Sequence, residues 1–169
     1  MDAPPEQLTV ADENEEGFRS VAYWDSIGKC WTAGYGQTGP DITQGTVMTK
    51  AQAVARLIRD EESLITQLQA ALPWVPGFTE PRYGALVDAA YNLGVAGLME
   101  FYSPTDNTFA LTAMEHQDWK QAVAGFQQSL WFNQVPNRVN AICYMVYFNE
   151  WVEGYLTQAQ TAQLNQVAV

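Results

Sequence analysis

The sequence predicts an α+β protein that is mostly helical, and three features predict it. A glycine-rich stretch from about 17 to 48 places Tyr23, Trp31, Ala33 and Tyr35 among Gly28, Gly34, Gly36, Gly39, Pro40 and Gly45. Short β-prone runs between turn residues read as a small sheet. Thr49 and Gln52 then form a capping-box pair ahead of one long helix. Beyond Pro73 and Pro76 the apolar residues recur at helical spacing in several shorter segments. A length of 169 residues fits one domain, 1–169.

The first element precedes the sheet. Glu6, Leu8, Val10 and Ala11 lead into the acidic run Asp12, Glu13, Glu15 and Glu16. Gly17 supplies the left-handed residue that ends many helices. Glu16 is thereby placed at a helix C-terminus, where the macrodipole and the neighbouring acids disfavour a further negative charge. That setting suits a proton donor. Asp25 follows nine residues later in a turn, and Thr32 opens a strand with a hydroxyl able to position water. Two carboxyls held across a cleft are what glycoside hydrolysis requires. One protonates the leaving oxygen, and the other handles a water or the developing positive charge.

In the long helix, about 50–71, Val54, Leu57, Ile58, Leu64, Ile65 and Leu68 form the apolar stripe. Arg56, Arg59, Asp60, Glu61 and Glu62 are assigned to the opposite face. Pro81 opens the next helix, in which Leu86, Val87, Ala90 and Tyr91 are apolar, Asn92 is polar and Gly94 is the C-cap. A loop from Phe101 to Asn107 precedes a helix from about Thr108 to His116. Asp118 caps another, running to about Gln127. The last long helix buries Ala141, Ile142, Met145, Val146, Phe148 and Trp151. The tail from Thr157, rich in Gln, Ala and Thr, is a short polar helix or a frayed end.

Composition narrows the function. A hydrophobic content of 47% with six Trp can fill a core. Eight Lys and Arg against 19 Asp and Glu give a net charge of −11, which argues against nucleic acid and against an anionic membrane surface. No stretch is long and apolar enough to span a membrane. The opening MDAPPEQLTV lacks the basic and apolar regions of a secretory signal, and Pro4-Pro5 reads as an extended leader. Cys30 and Cys143 do not make a disulfide framework and are expected as free thiols. His116, the one histidine, reads as a solvated side chain, and no metal or cofactor is expected.

The joint pattern Glu16-Gly17, Tyr23-x-Asp25 and Trp31-Thr32-x-Gly34-Tyr35-Gly36 resembles the phage-type lysozyme family, the muramidases that open bacterial walls. The run Trp131-Phe132-Asn133-Gln134-Val135-Pro136-Asn137-Arg138 is a second match and points to the T-even phage branch. The segment Ala89 to Gly97 resembles the family's central helix and the turn after it. The resemblance covers roughly 8–155.

It implies a lysozyme-like architecture. An N-terminal lobe with a small sheet, about 17–48, is joined by the helix at about 50–71 to a helical lobe at about 79–155. The polar tail 156–169 has no family counterpart. It also implies that Glu16 is the general acid and that Asp25 and Thr32 orient the attacking water or stabilise charge. Arg138 pairs with Glu16, and Thr38, Tyr91, Asn92 and Thr108 contact sugars. Two departures stand inside the main motif. Gln37 occupies the place where the family's glycine run usually ends in His. The turn from Asp25 to Thr32 looks one residue longer than the commonest form, which a bulge can absorb.

The implied activity is hydrolysis of the β-1,4 bond between N-acetylmuramic acid and N-acetylglucosamine in peptidoglycan. The implied protein is a monomer without stable membrane association, made in the host cytoplasm and acting on the cell wall. Two other readings stand beside it. One is a catalytically weak or inactive glycan-binding module with the same fold. The other is a related glycosidase acting on chitin-like polymers. A phage gene is the default origin, and an engineered or artificial member is the alternative, because the departures fall inside the main motif.

Overall fold

A computed structural model describes residues 4–167; the first three residues of the leader and the last two of the tail lie outside it. The described chain is α+β and mostly helical. Helix α1, Glu6–Glu16, enters from Pro5, which is extended at φ −64° and ψ 147°. Gly17 ends it at φ 68° and donates its N–H to the Glu13 carbonyl. Its ψ of 142° differs from the left-handed helical value expected of it. The chain therefore turns straight into an extended strand, a step that suits a residue without Cβ.

Strand β1, Arg19–Asp25, pairs antiparallel with β2, Cys30–Gly34. The ladder sets Tyr23 opposite Thr32, Trp24 opposite Trp31 and Asp25 opposite Cys30. Four residues close the hairpin, and the left-handed position at its tip is Lys29, φ 52°. Asp25 Oδ1 accepts from the Ile27 N–H at 2.8 Å, an Asx-type turn. The longer turn is thus absorbed at the tip, while the ladder irregularity lies at the other end, between Arg19 and Tyr23. Thr32 sits inside β2 rather than opening it. Single bridges, Val21 to Val47 and Ala33 to Gln37, extend the sheet.

Helix α2, Lys50–Ala71, begins at the predicted capping box: Thr49 accepts from Gln52 N, and Gln52 reaches back to Thr49 N. Its first half faces the sheet side, where Ala53 and Leu57 pack with Tyr35. Its second half puts Ile65 and Leu68 into the large helical core. One helix thus serves two cores. Glu61 departs from expectation: it is fully buried, not on the polar face, and accepts from the Thr9 hydroxyl of α1 at 2.7 Å.

A 3-10 turn, Val75–Gly77, leads to α3, Glu80–Leu98. Gly94, predicted as its cap, lies inside and breaks it at φ 70° and ψ 156°. A second 3-10 turn, Met99–Phe101, precedes α4, Ala110–Glu115, which starts two residues later than expected. Helix α5, Trp119–Gln127, is capped by Asp118 as predicted. Helices α6, Leu130–Gln134, and α7, Pro136–Phe148, follow. The buried face of α7 includes Ala141, Ile142, Met145 and Val146. Trp151 is not on α7, because Asn149 ends that helix in the left-handed region, φ 59° and ψ 39°. The Trp151 ring instead returns to α3 and occupies the space a Cβ on Gly84 would need. The tail forms α8, Gln158–Asn165, with its own capping box and with Leu164 buried.

Both cysteines are free thiols, Cys143 buried and Cys30 half-buried. Burial pushes the Cys143 thiol well above its ordinary range. His116 is exposed, with Nδ1 3.1 Å from Asn107 Oδ1. Among the described residues no helix is long and apolar enough to cross a membrane.

Candidate active site

Glu16 is the last residue of α1, and α1 anchors Leu8 in the large core. Its carboxylate is thereby held where the helical lobe meets the sheet lobe. Oε1 accepts from Arg138 Nη2 at 2.6 Å. Arg138 is the third residue of α7, whose start is set by Pro136. The guanidinium is only 7% exposed, and its Nε lies 3.2 Å from Asp88 Oδ1 on α3. Arg138 therefore spans two carboxylates contributed by two different helices.

The other oxygen of Glu16 approaches the loop after β2. A Cβ on Gly36 would lie 2.9 Å from Oε2. That loop is shaped by Gln37, which is 2% exposed. Its Oε1 accepts from the Tyr35 N–H at 2.8 Å, and its Nε2 donates to the Ala53 carbonyl at 3.4 Å. Gly34 leaves room for that side chain, since a Cβ there would meet Gln37 Oε1 at 1.9 Å. Tyr91 closes the loop from the far side by donating its hydroxyl to the Tyr35 carbonyl at 2.6 Å. The Tyr35 hydroxyl in turn donates to Glu13 at 2.9 Å. Burial and the Glu13 bond raise the Tyr35 phenol above its ordinary value, so it stays a donor.

Asp25 and Thr32 share one face of the hairpin. In the ladder, Tyr23 opposes Thr32 and Asp25 opposes Cys30, and alternate residues of a strand share a face. Cys30 stands between them, with Sγ 3.9 Å from Thr32 Oγ1. Thr32 is 3% exposed, and Asp25 is partly open.

Two cavities flank α3. One, of about 350 Å³, is lined by Glu16, Asn92, Gln134, Asn137, Arg138 and Tyr155 among others. The second, of about 310 Å³, is lined by Gly36, Gln37, Thr38, Asp60 and Tyr91 among others. Burial raises the Asp60 carboxyl above the usual range, and the nearby Arg56 partly offsets this. Asn92 Oδ1 accepts from Trp131 Nε1 at 2.7 Å, so the amide is already engaged on one side. Thr38 is exposed, and its carbonyl accepts from Arg56 at 2.7 Å. Thr108 lines neither cavity: its hydroxyl and N–H both bond Asp106, at 2.6 and 2.9 Å.

The structure thus brings Glu16, Arg138 and Asn92 to one cavity and Gln37, Thr38 and Tyr91 to the other. Asp25 and Thr32 stand apart on the hairpin, and Thr108 stands on its own loop. Sequence reasoning missed Asp88 and Tyr155 and gave no role to Trp131, which it named only as part of the second matching run. The lone acid in the apolar run Ala85-Leu86-Val87-Asp88-Ala89-Ala90 was the available signal, since a charge buried in such a stretch needs a partner.

Comparison with known proteins agrees with this architecture. The phage lysozyme family matches residues 13–143. The chain is 26% identical over 185 residues to the pre-baseplate central spike protein Gp5 of Enterobacteria phage T4, covering 95% of this chain and 31% of that protein. It is 35% identical over 80 residues to the SAR-endolysin of Enterobacteria phage P21, covering 47% of this chain and 46% of that one. It is 30% identical over 107 residues to the endolysin of Bacillus phage PZA, covering 60% of this chain and 40% of that one. The chain spans less than half the length of each of these relatives.

Proposed function

The chain belongs to the phage lysozyme family, and from that premise we propose that it is a muramidase cutting the β-1,4 bond between N-acetylmuramic acid and N-acetylglucosamine in peptidoglycan. The observation that carries the reading is the placement of Glu16: one carboxylate at a helix end, fixed by Arg138, lining an open cavity beside α3 and α7. Glu16 protonates the leaving glycosidic oxygen. Asp25 and Thr32 orient the attacking water or stabilise the oxocarbenium-like charge. Arg138 fixes the carboxyl rotamer, and Gln37 fixes the loop against which it rests. Thr38 and Asn92 contribute polar contacts to sugar, whereas Thr108 lines neither cavity and gives its hydroxyl to Asp106. Asn92 offers its amide N–H₂, because its oxygen serves Trp131. Tyr91 offers its ring, because its hydroxyl serves Tyr35. The chain acts as a single domain and a monomer on glycan strands, without cofactor, after synthesis in the host cytoplasm.

One observation favours the catalytically weak glycan-binding reading: Thr32 is nearly closed to solvent, so a water beside it needs a shift of the hairpin. Release of reducing ends from purified peptidoglycan separates the two. Glu16→Gln keeps the size of the side chain and loses the acid, so release should fall about 10²- to 10⁴-fold with folding intact. Release by Glu16→Gln within about threefold of the parent rejects the assignment, since a positioned acid is worth far more than that. Equal release from chitin would point to the broader glycosidase reading.

A further inference from the structure

We propose that Asp88 is a positioning residue for Glu16: it fixes the guanidinium of Arg138 from behind and supplies a second negative charge, so that Glu16 shares its cation. The inference deepens the reading of Glu16 as a general acid and rests on it.

The geometry starts with Arg138. A guanidinium is a planar, delocalised cation that can serve two carboxylates at once. The Arg138 Nε lies 3.2 Å from Asp88 Oδ1, while Nη2 donates to Glu16 at 2.6 Å. The ion pair draws the guanidinium toward α3 while Nη2 stays on Glu16, so the cation is held between the two carboxylates. Both residues behind Glu16 are closed to water, Asp88 at 1% and Arg138 at 7% exposure.

The charge count then matters. Buried charges are tolerated when they are paired. With Arg138 alone behind it, an ionised Glu16 would complete a neutral pair, and a protonated Glu16 would leave a buried cation unbalanced. Such a site would strip the proton from its own acid. With Asp88 present, Arg138 is balanced already. Protonated Glu16 then sits beside a neutral pair, and ionised Glu16 adds net negative charge. Asp88 thus offsets the charge of Arg138, so that Glu16 is not the sole counter-ion of that buried cation.

Other groups around Glu16 do not take this role. Glu13, one turn back on α1, accepts from Tyr35 and lies 3.6 Å from Lys50. Tyr155, across the cavity, is a phenol and not a carboxylate. The Gly36 loop presents backbone, and Asp25 on the hairpin is not among the residues that line this cavity.

Asp88→Asn is the test, because the amide keeps the size of the side chain while the charge is gone. The Glu16 carboxyl carbon is followed by ¹³C NMR titration in parent and variant. The pH profile of reducing-end release is measured beside it. The variant's Glu16 midpoint should fall by about one pH unit. The alkaline limb of release should move down with it. An unchanged or raised midpoint in folded Asp88→Asn overturns the proposal. Should that variant fail to fold, the parent decides: Asp88 must be a carboxylate from about pH 5 to about pH 8 in the folded protein, and a protonated Asp88 there overturns it equally. Absence of any release by the parent would overturn the muramidase reading, whereas the titration would still decide the role of Asp88.

Discussion

Gly36 stands at φ +80°, and a Cβ there would lie 2.9 Å from Glu16 Oε2. Gly36→Ala therefore has two effects. The left-handed backbone costs about 1 kcal/mol for a residue with Cβ. The Glu16 carboxylate must also move from its place against Arg138. Gly45→Ala is the control, since Gly45 has φ +85° with nothing within 4 Å of its built Cβ. Both variants should lose similar stability in urea unfolding, but only Gly36→Ala should lose reducing-end release. Equal release from the two would show that the close approach has no bearing on Glu16. Residues of this kind were legible in the sequence because each is dictated locally. Glycines set backbone geometry, and Glu16-Gly17 marks a helix end. Asp88 was not legible as a partner of Arg138, because 50 residues separate them and only the packing of α3 on α7 joins them.

At the scale of elements, α1 carries Glu16, and what holds α1 to α2 governs where that carboxylate sits. In the buried interior between them, Thr9 Oγ1 donates to Glu61 Oε2 at 2.7 Å. Thr9→Val keeps the shape and removes the donor. Removing one donor from a buried carboxylate costs about 1–3 kcal/mol. The urea midpoint should fall by that amount with an unchanged slope, and reducing-end release should fall with it if the tie positions Glu16. A midpoint equal to the parent's would mean that the bond contributes nothing to stability. Glu61 also shows how the sequence misled. Leu57, Glu61, Ile65 and Leu68 are spaced by four, four and three residues, so helical geometry alone puts Glu61 on the buried stripe. Its charge suggested the opposite face, and position prevailed over chemistry because a hydroxyl from α1 meets it. The ends of elements were harder still. Trp151 looked like one more turn of α7, but Asn149 reverses the chain first. That choice depends on a ring filling the space beside Gly84, a contact 67 positions away.

For the whole molecule, the order of sheet, long helix and helical lobe was legible because periodicity and caps recur along the chain. The two-core role of α2 was not, since it depends on which neighbours meet each half. Net charge belongs to this scale, and it yields a prediction about encounter rather than chemistry. The chain carries −11, and peptidoglycan, the proposed substrate, carries carboxylates of its own. Like charges slow association. The cations do not form a compensating field. Lys50 lies against Glu13, Arg56 is bound to Asp41 and near Asp60, and Arg138 is shared by Glu16 and Asp88. Arg19, stacked on Tyr23, and Lys29 lie on the hairpin, Arg82 stacks on Trp119, and Arg59 and Lys120 complete the eight. Salt shortens the Debye length from about 30 Å at 0.01 M to about 8 Å at 0.15 M, which hides repulsion beyond that range. The rate of reducing-end release should therefore rise with NaCl across that interval at constant pH. The Glu16–Arg138 contact is too close and too shielded for ions to weaken it over the same range. Lys29→Glu should steepen the rise by adding repulsion at the hairpin. A steady fall in rate with salt, or a Lys29→Glu variant less sensitive than the parent, would mean that local positive potential at the hairpin outweighs the net charge of the molecule.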